Sequence, residues 1–320
     1  MPKSAKLQVF GAKIEATQNT APTFAATDYC LVESAEINPV PEFLPREFKR
    51  ASVSQLASIM GKLFVEVKVK IALKGSGAAG TALAPHSALL QACGLIETIS
   101  AGVSVAYAFA SASISNFFGF GKSCCIQVYE AGPNPIKHQV VGCVAKSAKL
   151  TTKAGGMLIL EATYQGLYAA PTDVAFPTAT YTETVKEPVF VSSALSVHSF
   201  SAIVANLEID FGLDTVLRED SASSYGVKGF AILGRKLIGS LDPEAENVAT
   251  HDVFGKSLSR AEASLSFNVS GGTGNSFQFN LPKIQYNGVA YAERGLIKTF
   301  KIPFQANQSS GDDELALTIT

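Results

Sequence analysis

Several features are missing from this chain of 320 residues, and each absence excludes a class of protein. There is no tryptophan, which argues against a carbohydrate-binding module built on a flat aromatic platform. No apolar stretch reaches the ~20 residues that a membrane-spanning helix needs. No apolar segment follows the basic start Met1–Lys6, so a signal peptide is not indicated. We expect the protein to be made in the cytoplasm.

Charge of either sign is also scarce. Asp, Glu, Lys and Arg make up 17% of the chain and the formal net charge is −1, so no basic surface for nucleic acid is indicated. Balanced charge leaves little long-range repulsion between copies, which favours self-association. With 47% apolar residues, the chain can bury a core in one large domain or two ordinary ones.

The cysteines follow no recognised spacing. An odd count, one adjacent pair and the lack of a CxxC motif argue against a disulfide framework and against a zinc knuckle. We therefore expect buried free thiols in a reducing compartment. The five cysteines are Cys30, Cys93, Cys124, Cys125 and Cys143.

Strand patterns dominate what is present. The clearest is Phe64–Lys74, where apolar residues from Val65 to Leu73 alternate with polar ones and predict one face toward a core. Short strands separated by turns indicate a mainly β fold, a sandwich or barrel. The further predicted strands are Lys6–Ile14, Ser104–Ser111, Cys124–Tyr129, His138–Val144, Met157–Tyr164, Ala202–Phe211, Phe230–Leu241, Ala263–Ser270, Ser276–Leu281, Ile297–Phe304 and Leu315–Thr320.

Turn and cap residues predict two hairpins and two helices. The turn formers of Ala131–Pro135 and Gly271–Asn275 should each join two strands. One helix should begin at Pro85 and end at Gly94. The other should begin at Pro243, with Asp242 as its N-cap, and end at Gly255.

The two halves of the chain repeat several features in the same order and at nearly constant offset. This repetition indicates duplication and favours a building block over an enzyme, because nothing that looks catalytic recurs. The matched features are Glu36-Ile37 with Glu208-Ile209, Arg46-Glu47 with Arg218-Glu219, Gly61 with Gly229, and Pro85 with Pro243.

The repeat suggests a division into two tandem β-sandwich or barrel domains, each with one short flanking helix. Prolines and threonines between Pro171 and Pro188 are typical of an extended connector. We assign residues 1–178 to a first domain with an N-terminal arm, 179–188 to a linker, and 189–320 to a second domain with a C-terminal arm.

The best enzymatic candidate is Gly75–Gly80, which matches the dinucleotide-binding fingerprint and has Glu97 about twenty residues further on. The preceding strand alternates with charged residues, whereas the first strand of that fold is buried on both faces. The helix at Pro85 also begins too late to meet a pyrophosphate. A flexible loop explains the glycines better.

No other constellation supports chemistry. His86, His138, His198 and His251 are scattered without metal-ligand spacing, and we place His251 near the end of the second helix, facing its dipole. Asp312–Glu314 lacks EF-hand spacing and is interpreted as a turn. We predict no catalytic residue, no cofactor and no metal.

Two long loops combine apolar anchors with charges, as subunit interfaces do. They are Asn38–Gly61 and Gly212–Gly229. The alternative is that each loop folds over the protein's own core. Phe117–Phe120 is a further candidate contact, although core burial is the commoner fate of such a cluster. The predicted interface residues are Phe43, Leu44, Arg46, Phe48, Arg50, Val216, Leu217, Arg218 and Tyr225.

The chain resembles the major tail tube proteins of long-tailed bacteriophages. The likeness is one of overall pattern and order along nearly the whole chain, and none of its segments is a catalytic signature. The segments that carry it are Val65–Gly94, Gly166–Asp173, Gly234–Glu244 and Ser309–Leu315.

The resemblance implies a structural virion protein of the tail, made in the host cytoplasm, without enzymatic activity. Its rings would stack into a hollow tube through which DNA passes without specific binding. Single-domain members form rings of six, so a two-domain chain would close a homotrimer with pseudo-sixfold symmetry.

The resemblance also implies contacts for particular segments. The two long loops would touch the next ring, and the arms Met1–Lys6 and Ala306–Thr320 would touch neighbouring copies. Acidic residues such as Asp173, Glu183 or Glu293 would be available for the lumen. Other partners would be the tape measure, terminator and baseplate proteins, with no membrane.

Three alternatives stay open at this point. A terminator or adaptor protein would form single rings that do not stack. A carbohydrate-binding β-sandwich adhesin would bind glycans, and a nicotinamide-dependent enzyme would bind its cofactor through Gly75–Gly80.

Overall fold

Segments of the sequence with a two-residue apolar period form β-strands in both halves of the chain. The computed structural model describes residues 7–112, 117–130 and 135–320, and in these ranges strands far outnumber helices. The predicted mainly β, sandwich-like fold is confirmed.

The first half contains ten strands and one α-helix within the described ranges. A single 3₁₀ turn, Ala26–Asp28, precedes the second strand. The elements are β1 Gln8–Ile14, β2 Tyr29–Cys30, β3 Ser34–Leu44, β4 Ile59–Ala72, α1 Ala84–Gln91, β5 Leu95–Ser100, β6 Ser104–Phe109, β7 Cys124–Glu130, β8 Ile136–Lys153, β9 Ile159–Leu167 and β10 Thr172–Asp173.

The second half follows the same style, with short strands and one short helix. A 3₁₀ turn, Ser224–Gly226, lies at the tip of one hairpin. The elements are β11 Ser196–Val197, β12 Phe200–Ser201, β13 Val204–Asp210, β14 Leu213–Glu219, β15 Val227–Arg235, β16 Ile238–Pro243, α2 Val253–Leu258, β17 Glu262–Val269, β18 Phe277–Tyr286, β19 Ala290–Arg294, β20 Ile297–Asn307 and β21 Ala316–Ile319.

One antiparallel row of strands runs through both halves. In the first half β3, β4, β9 and β8 lie side by side. In the second half β13, β16, β20 and β19 do so. The rows are joined because β8 pairs with β13, from Asn206 opposite Lys153 to Asp210 opposite Lys149. The two halves therefore share one continuous sheet.

A second layer covers the apolar face of this row. It contains β1, β2 and β7 at one side and the series β5, β6, β21, β18 and β17 at the other. One buried cluster fills the space between the layers and draws on both halves. Phe109 and Phe211, from different halves, meet edge to face with ring centroids 5.5 Å apart. The core is thus continuous across the duplication.

The clearest predicted strand is confirmed. Val65, Val67, Val69 and Ile71 on β4 are buried, and the residues that alternate with them are half-buried or exposed. Phe230–Leu241, predicted as one strand, is instead divided into β15 and β16. The chain turns between them beside Gly212, whose φ is 55° and whose α-carbon lies so close to the Lys236 carbonyl that a side chain there would clash.

The two predicted helices had different outcomes. The first is confirmed, with Pro85 in its first turn and Gly94 beyond its end. The second is wrong as placed, because Pro243 is the last residue of β16. The Asp242 carboxylate instead accepts N–H groups from Ala205 and Asn206, at 2.9 and 2.7 Å, where the β13 ladder is irregular.

The second helix begins ten residues later than predicted. Asp252 caps it and accepts the Gly255 N–H at 2.7 Å. His251 therefore precedes the helix instead of facing its C-terminal dipole, and this prediction is also wrong. In the described ranges, neither helix has the length and apolarity to cross a membrane.

Both predicted hairpins involve neighbouring strands. β17 and β18 pair on either side of Gly271–Asn275, which confirms that hairpin. β7 and β8 also pair, with Glu130 opposite Ile136, whereas Ala131–Asn134 at their turn lies outside the described residues. The arm Met1–Lys6 lies outside them as well. The five cysteines are buried as free thiols, as the sequence predicts.

The segment predicted as a linker lies against both halves. The Lys74 ammonium donates to the Thr182 and Val185 carbonyls, at 2.9 and 3.3 Å. From the second half, Asn275 Nδ2 donates to the Lys186 carbonyl at 2.8 Å. These bonds fix the connector in place, and the division at residues 179–188 stays a prediction.

A buried histidine ties the end of β4 to α1. His86 Nδ1 accepts the Lys74 N–H at 3.2 Å, and only a neutral imidazole can do so. Burial, with a smaller contribution from the Lys74 charge, lowers the pKa of His86 to about 3 from the ordinary 6.5. As pH falls below 6.5, the unfolded chain therefore takes up a proton that the folded chain does not.

We expect the free energy of unfolding to fall by about 1.4 kcal/mol per pH unit through His86 alone between pH 6 and 4. Urea titrations from pH 7 to 4 measure this slope. In His86→Gln the amide oxygen can accept the same N–H, and the slope should be shallower. His138→Gln, at a half-exposed position on β8, is the control. Parallel slopes in the wild type and His86→Gln would contradict the assignment.

Candidate assembly surfaces

The hairpin of β3 and β4 projects a long exposed segment. The two strands stay paired up to Leu44 opposite Ile59, and residues 45–58 between them are here called the tip segment. From Glu42 to Met60 every side chain is exposed except the half-buried Leu56. The tip segment therefore has little contact with its own core, contrary to the alternative that it folds back.

Apolar and basic groups alternate on this exposed hairpin end. Phe43 is 60% exposed and Phe48 is 69% exposed. The tip segment has three basic residues and one acidic one, Glu47. The Arg46 guanidinium lies 5.9 Å from the centre of the Phe48 ring, a cation–π distance. Exposed aromatic and arginine side chains of this kind are typical of protein interfaces.

The hairpin of β14 and β15 lies differently, packed over the chain itself. It forms a separate two-stranded sheet, and its inner side joins a small cluster with Val144 of β8. Phe230 meets Phe64 of β4 edge to face, with ring centroids 5.3 Å apart. Phe64 alternates with the core residue Val65, so the hairpin covers the opposite face of the sheet from the main core.

A lysine connects the two hairpins. Lys62 of β4 lies 2.6 Å from the carboxylate of Glu219 and 3.8 Å from that of Glu42. The hydrogen bond with Glu219 raises the pKa of Lys62. Nearby, Tyr225 at the second hairpin's turn meets Tyr168 edge to face at 5.8 Å. The two loops selected from the sequence thus lie side by side at one end of the molecule.

The predicted interface residues divide into two groups. Those of the first loop are all exposed: Phe43, Leu44, Arg46, Phe48 and Arg50. Those of the second loop are mixed: Val216 and Tyr225 are exposed, Arg218 is half-buried with its guanidinium 4.0 Å from the Phe118 ring centre, and Leu217 packs against the small cluster around Phe230.

Leu217 was expected to be an exposed anchor. The strand period explains the difference, because adjacent residues of β14 point to opposite faces and the inner face carries Leu217. The Phe117–Phe120 cluster is similarly divided. Phe120 packs against the small cluster, whereas Phe118 is 48% exposed beneath Arg218.

The glycine-rich segment Gly75–Gly80 forms a loop against the Gly271–Asn275 hairpin. Gly77 N–H donates to the Gly274 carbonyl at 3.2 Å, and Gly75 N–H donates to Asn275 Oδ1 at 2.7 Å. Glu97 accepts hydrogen bonds from the hydroxyls of Ser87 and Tyr107. These groups hold the fold together, so they offer no cradle for a dinucleotide.

The acidic turn at residues 312–314 serves as a structural contact. Arg235, at the end of β15, bonds both Asp312 and Glu314. Burial alone would lower the pKa of Arg235, but the hydrogen bonds that it donates to these carboxylates raise it. Asp313 accepts the N–H groups of Ser309 and Ser310, at 2.8 and 3.0 Å, which closes the turn. The turn interpretation is supported.

Two histidines that look unrelated in the sequence meet in the fold. The rings of His198 and His251 lie 6.5 Å apart, and His251 Nε2 is 3.3 Å from the Tyr286 hydroxyl. Burial, together with the charge of His251, lowers the pKa of His198 to about 4. Among the residues that the structure describes, no group of His, Cys, Asp and Glu is arranged to hold a metal.

Sequence reasoning missed exposed apolar residues at the other end of the molecule, called here the base end. It lies where β3 begins at Ser34 and β4 ends at Ala72. Its exposed apolar side chains lie in loops and at the first residue of β20, where no period or motif reveals them. They are Leu31, Ile203, Val248, Leu296 and Ile297.

The fold defines a mainly β protein with an exposed hairpin end. A family model described as phage tail tube protein matches residues 6–320, and the chain belongs to that family. It is a structural protein of the phage tail that assembles with other tail components. No curated protein matches the chain.

The orientation of β14 leads to a prediction about neighbouring residues. Leu217→Asp would bury a charge against the small cluster, so we expect it to lower the free energy of unfolding by about 1–3 kcal/mol. Val216→Asp, on the exposed face, should change it by less than about 0.5 kcal/mol. Denaturant titration measures both, and equal losses would contradict the assigned faces.

Proposed function

We propose that copies of this chain form closed rings, that the rings stack into a hollow tube, and that phage DNA passes through the tube into the host. The protein has no enzymatic role in this proposal. The observation that carries it is the hairpin end of β3 and β4, whose apolar and basic side chains are exposed instead of packed against the core, on a chain of the tail tube family.

The copy number follows from the repeat. Each half contributes one row of four strands to the shared sheet, so one chain supplies two equivalent units. A ring of six units, which the resemblance implies, then needs three copies. Such a homotrimer would have pseudo-sixfold symmetry, with alternate joints inside and between chains.

The two ends of the molecule are complementary, which supports stacking. The hairpin end presents aromatic residues with a net positive tip segment. At the base end, the N–H of Glu244 bonds the carbonyl of the exposed Ile203, and Ala245 N–H bonds the Lys298 carbonyl. Glu246 is an exposed acidic residue there, whereas the Glu244 carboxylate is paired with Arg294 at 2.7 Å. Apolar anchors opposite apolar anchors, with the basic tip segment opposite Glu246, favour head-to-tail contact.

A conduit for DNA should not hold phosphates, because each phosphate contact slows passage. The near-zero net charge of the chain agrees with that requirement. Asp173, Glu183 and Glu293 are exposed and available to face a lumen. Tape measure, terminator and baseplate proteins complete the set of partners that we propose.

The first test is negative-stain electron microscopy of the purified protein at rising concentration. We expect hollow tubes of uniform width, with threefold or pseudo-sixfold end-on views. Single rings that never stack would indicate a terminator or adaptor instead, and would overturn the tube assignment.

Phe43→Asp tests the stacking surface. Phe43 is exposed and contacts no core residue, so the variant should unfold at the wild-type denaturant concentration. Its charge would be buried between rings, at a cost of several kcal/mol when unpaired, so tubes should be replaced by single rings. Val103→Asp, 65% exposed in the turn between β5 and β6 and outside both hairpins, is a matched charge control. Tubes of normal length from Phe43→Asp would sink the assignment of this hairpin end.

A further inference from the structure

Within one molecule, the two repeated units are joined by one pair of adjacent strands. In the described residues, the two strands that would form an equivalent second joint each have one unpaired edge. The internal joint is the pairing of β8 with β13. In the described residues, β3 pairs only with β4 and β19 only with β20. These two strands stand at opposite ends of the shared row.

Position by position, the free strands are equivalent to the joined ones. β3 corresponds to β13 through Glu36 and Glu208. The four strands β3, β4, β9 and β8 match β13, β16, β20 and β19 in the same order. When paired residues are followed from strand to strand across each row, Leu150 of β8 takes the same position as Tyr291 of β19. The stretch of β8 that pairs with β13, Lys149–Lys153, therefore matches the whole of β19, Ala290–Arg294.

We propose that β3 of one copy pairs antiparallel with β19 of the next, in the register of the internal joint. This inference rests on the proposed ring and names the surfaces that close it. Transferring the internal register gives the following pairs: Ser34 with Arg294, Ala35 with Glu293, Glu36 with Ala292, Ile37 with Tyr291, and Asn38 with Ala290.

The outward-facing peptide groups of β3 point toward the position that β19 of the next copy would occupy. At the internal joint, Phe211 N–H donates to the Ala148 carbonyl at 3.0 Å, so the odd-numbered residues of β13 face β8. Their equivalents on β3 are Ala35 and Ile37. The Ala35 carbonyl accepts Gln8 Nε2 at 2.9 Å, as expected of a group turned away from β4. A carbonyl oxygen has two lone pairs, so it can accept a second bond from the neighbouring copy.

Prolines limit the length of this edge. Pro39 and Pro41 continue the same alternation, and at those positions they have no N–H to offer an incoming strand. Pairing is therefore confined to the stretch before Pro39. That stretch matches the five residues of β19, so the two free edges have the same usable length.

The side chains also complement each other. At the internal joint Ile209 and Leu150 are 1% and 2% exposed. Their equivalents are Ile37, which is half-buried, and Tyr291, which is 66% exposed beside Phe254. Pairing β3 with β19 would cover both apolar side chains, as the internal joint covers theirs.

Cysteine cross-linking tests the register. Glu36 and Ala292 form a non-hydrogen-bonded pair in it, where Cα atoms lie about 4.5 Å apart, within disulfide range. Glu36→Cys with Ala292→Cys, assembled and then oxidised by air with copper phenanthroline, should give covalent dimers and trimers on denaturing gels. Glu208→Cys with Thr151→Cys, the equivalent internal pair, should form its disulfide within one chain and give no ladder.

A displaced pair checks specificity. Glu36→Cys with Glu293→Cys places the two thiols on opposite faces and should cross-link at least tenfold more slowly. Equal rates would overturn the register. Rings without any ladder from the Glu36–Ala292 pair would overturn the joint while leaving the proposed tube intact. Absence of rings in the wild type would count against the proposed function instead.

A backbone variant gives an independent readout. Ile37→Pro removes an N–H that no bond inside the monomer uses, so the chain should fold and stay monomeric by light scattering. Ile37→Val keeps the N–H and should assemble like the wild type. Assembly of Ile37→Pro at the wild-type concentration would contradict the pairing.

Discussion

The ladder between β8 and β13 is the interaction on which the rest of the architecture depends. It joins the two halves into one sheet and one core, so that Phe109 and Phe211 can meet across the duplication. It also decides which strands stay unpaired. If the halves were held by a flexible connector alone, each would expose two edges; joined in this way, the row exposes one strand at each end, β3 and β19.

The sequence predicts the strands well because burial on one face imposes a two-residue period, as in β4. It fails at Pro243, where a cap residue followed by proline has the signature of a helix start. Asp242 uses the same hydrogen-bonding capacity to satisfy N–H groups of the irregular strand β13. The sequence correctly indicates that Asp242 accepts backbone N–H groups. However, its partner Asn206 is 36 residues away in sequence, and a local pattern cannot show that.

The candidate interface residues could likewise be predicted only in part. Composition alone finds the first loop, because aromatic and basic residues without a period have no core to join. It cannot orient the second hairpin, since Val216 and Leu217 are both apolar and only the packing of β14 over Phe230 separates them. The equivalence of β3 and β13 starts from a sequence repeat, but the matching of β8 with β19 needs the register of six ladders.

An assembly built from open edges must avoid pairing too early or too widely. Long exposed edges with free N–H and C=O groups promote aggregation. Here β19 has only five residues. Beyond Asn38, the outward-facing positions of β3 include Pro39 and Pro41, which have no N–H group to donate. The internal joint has Phe211 where β3 has Pro39, so the internal ladder continues further. Each joint of the proposed ring would thus be weaker than the joint inside a chain, and the stability of the ring would come from its closure, where all such joints form together.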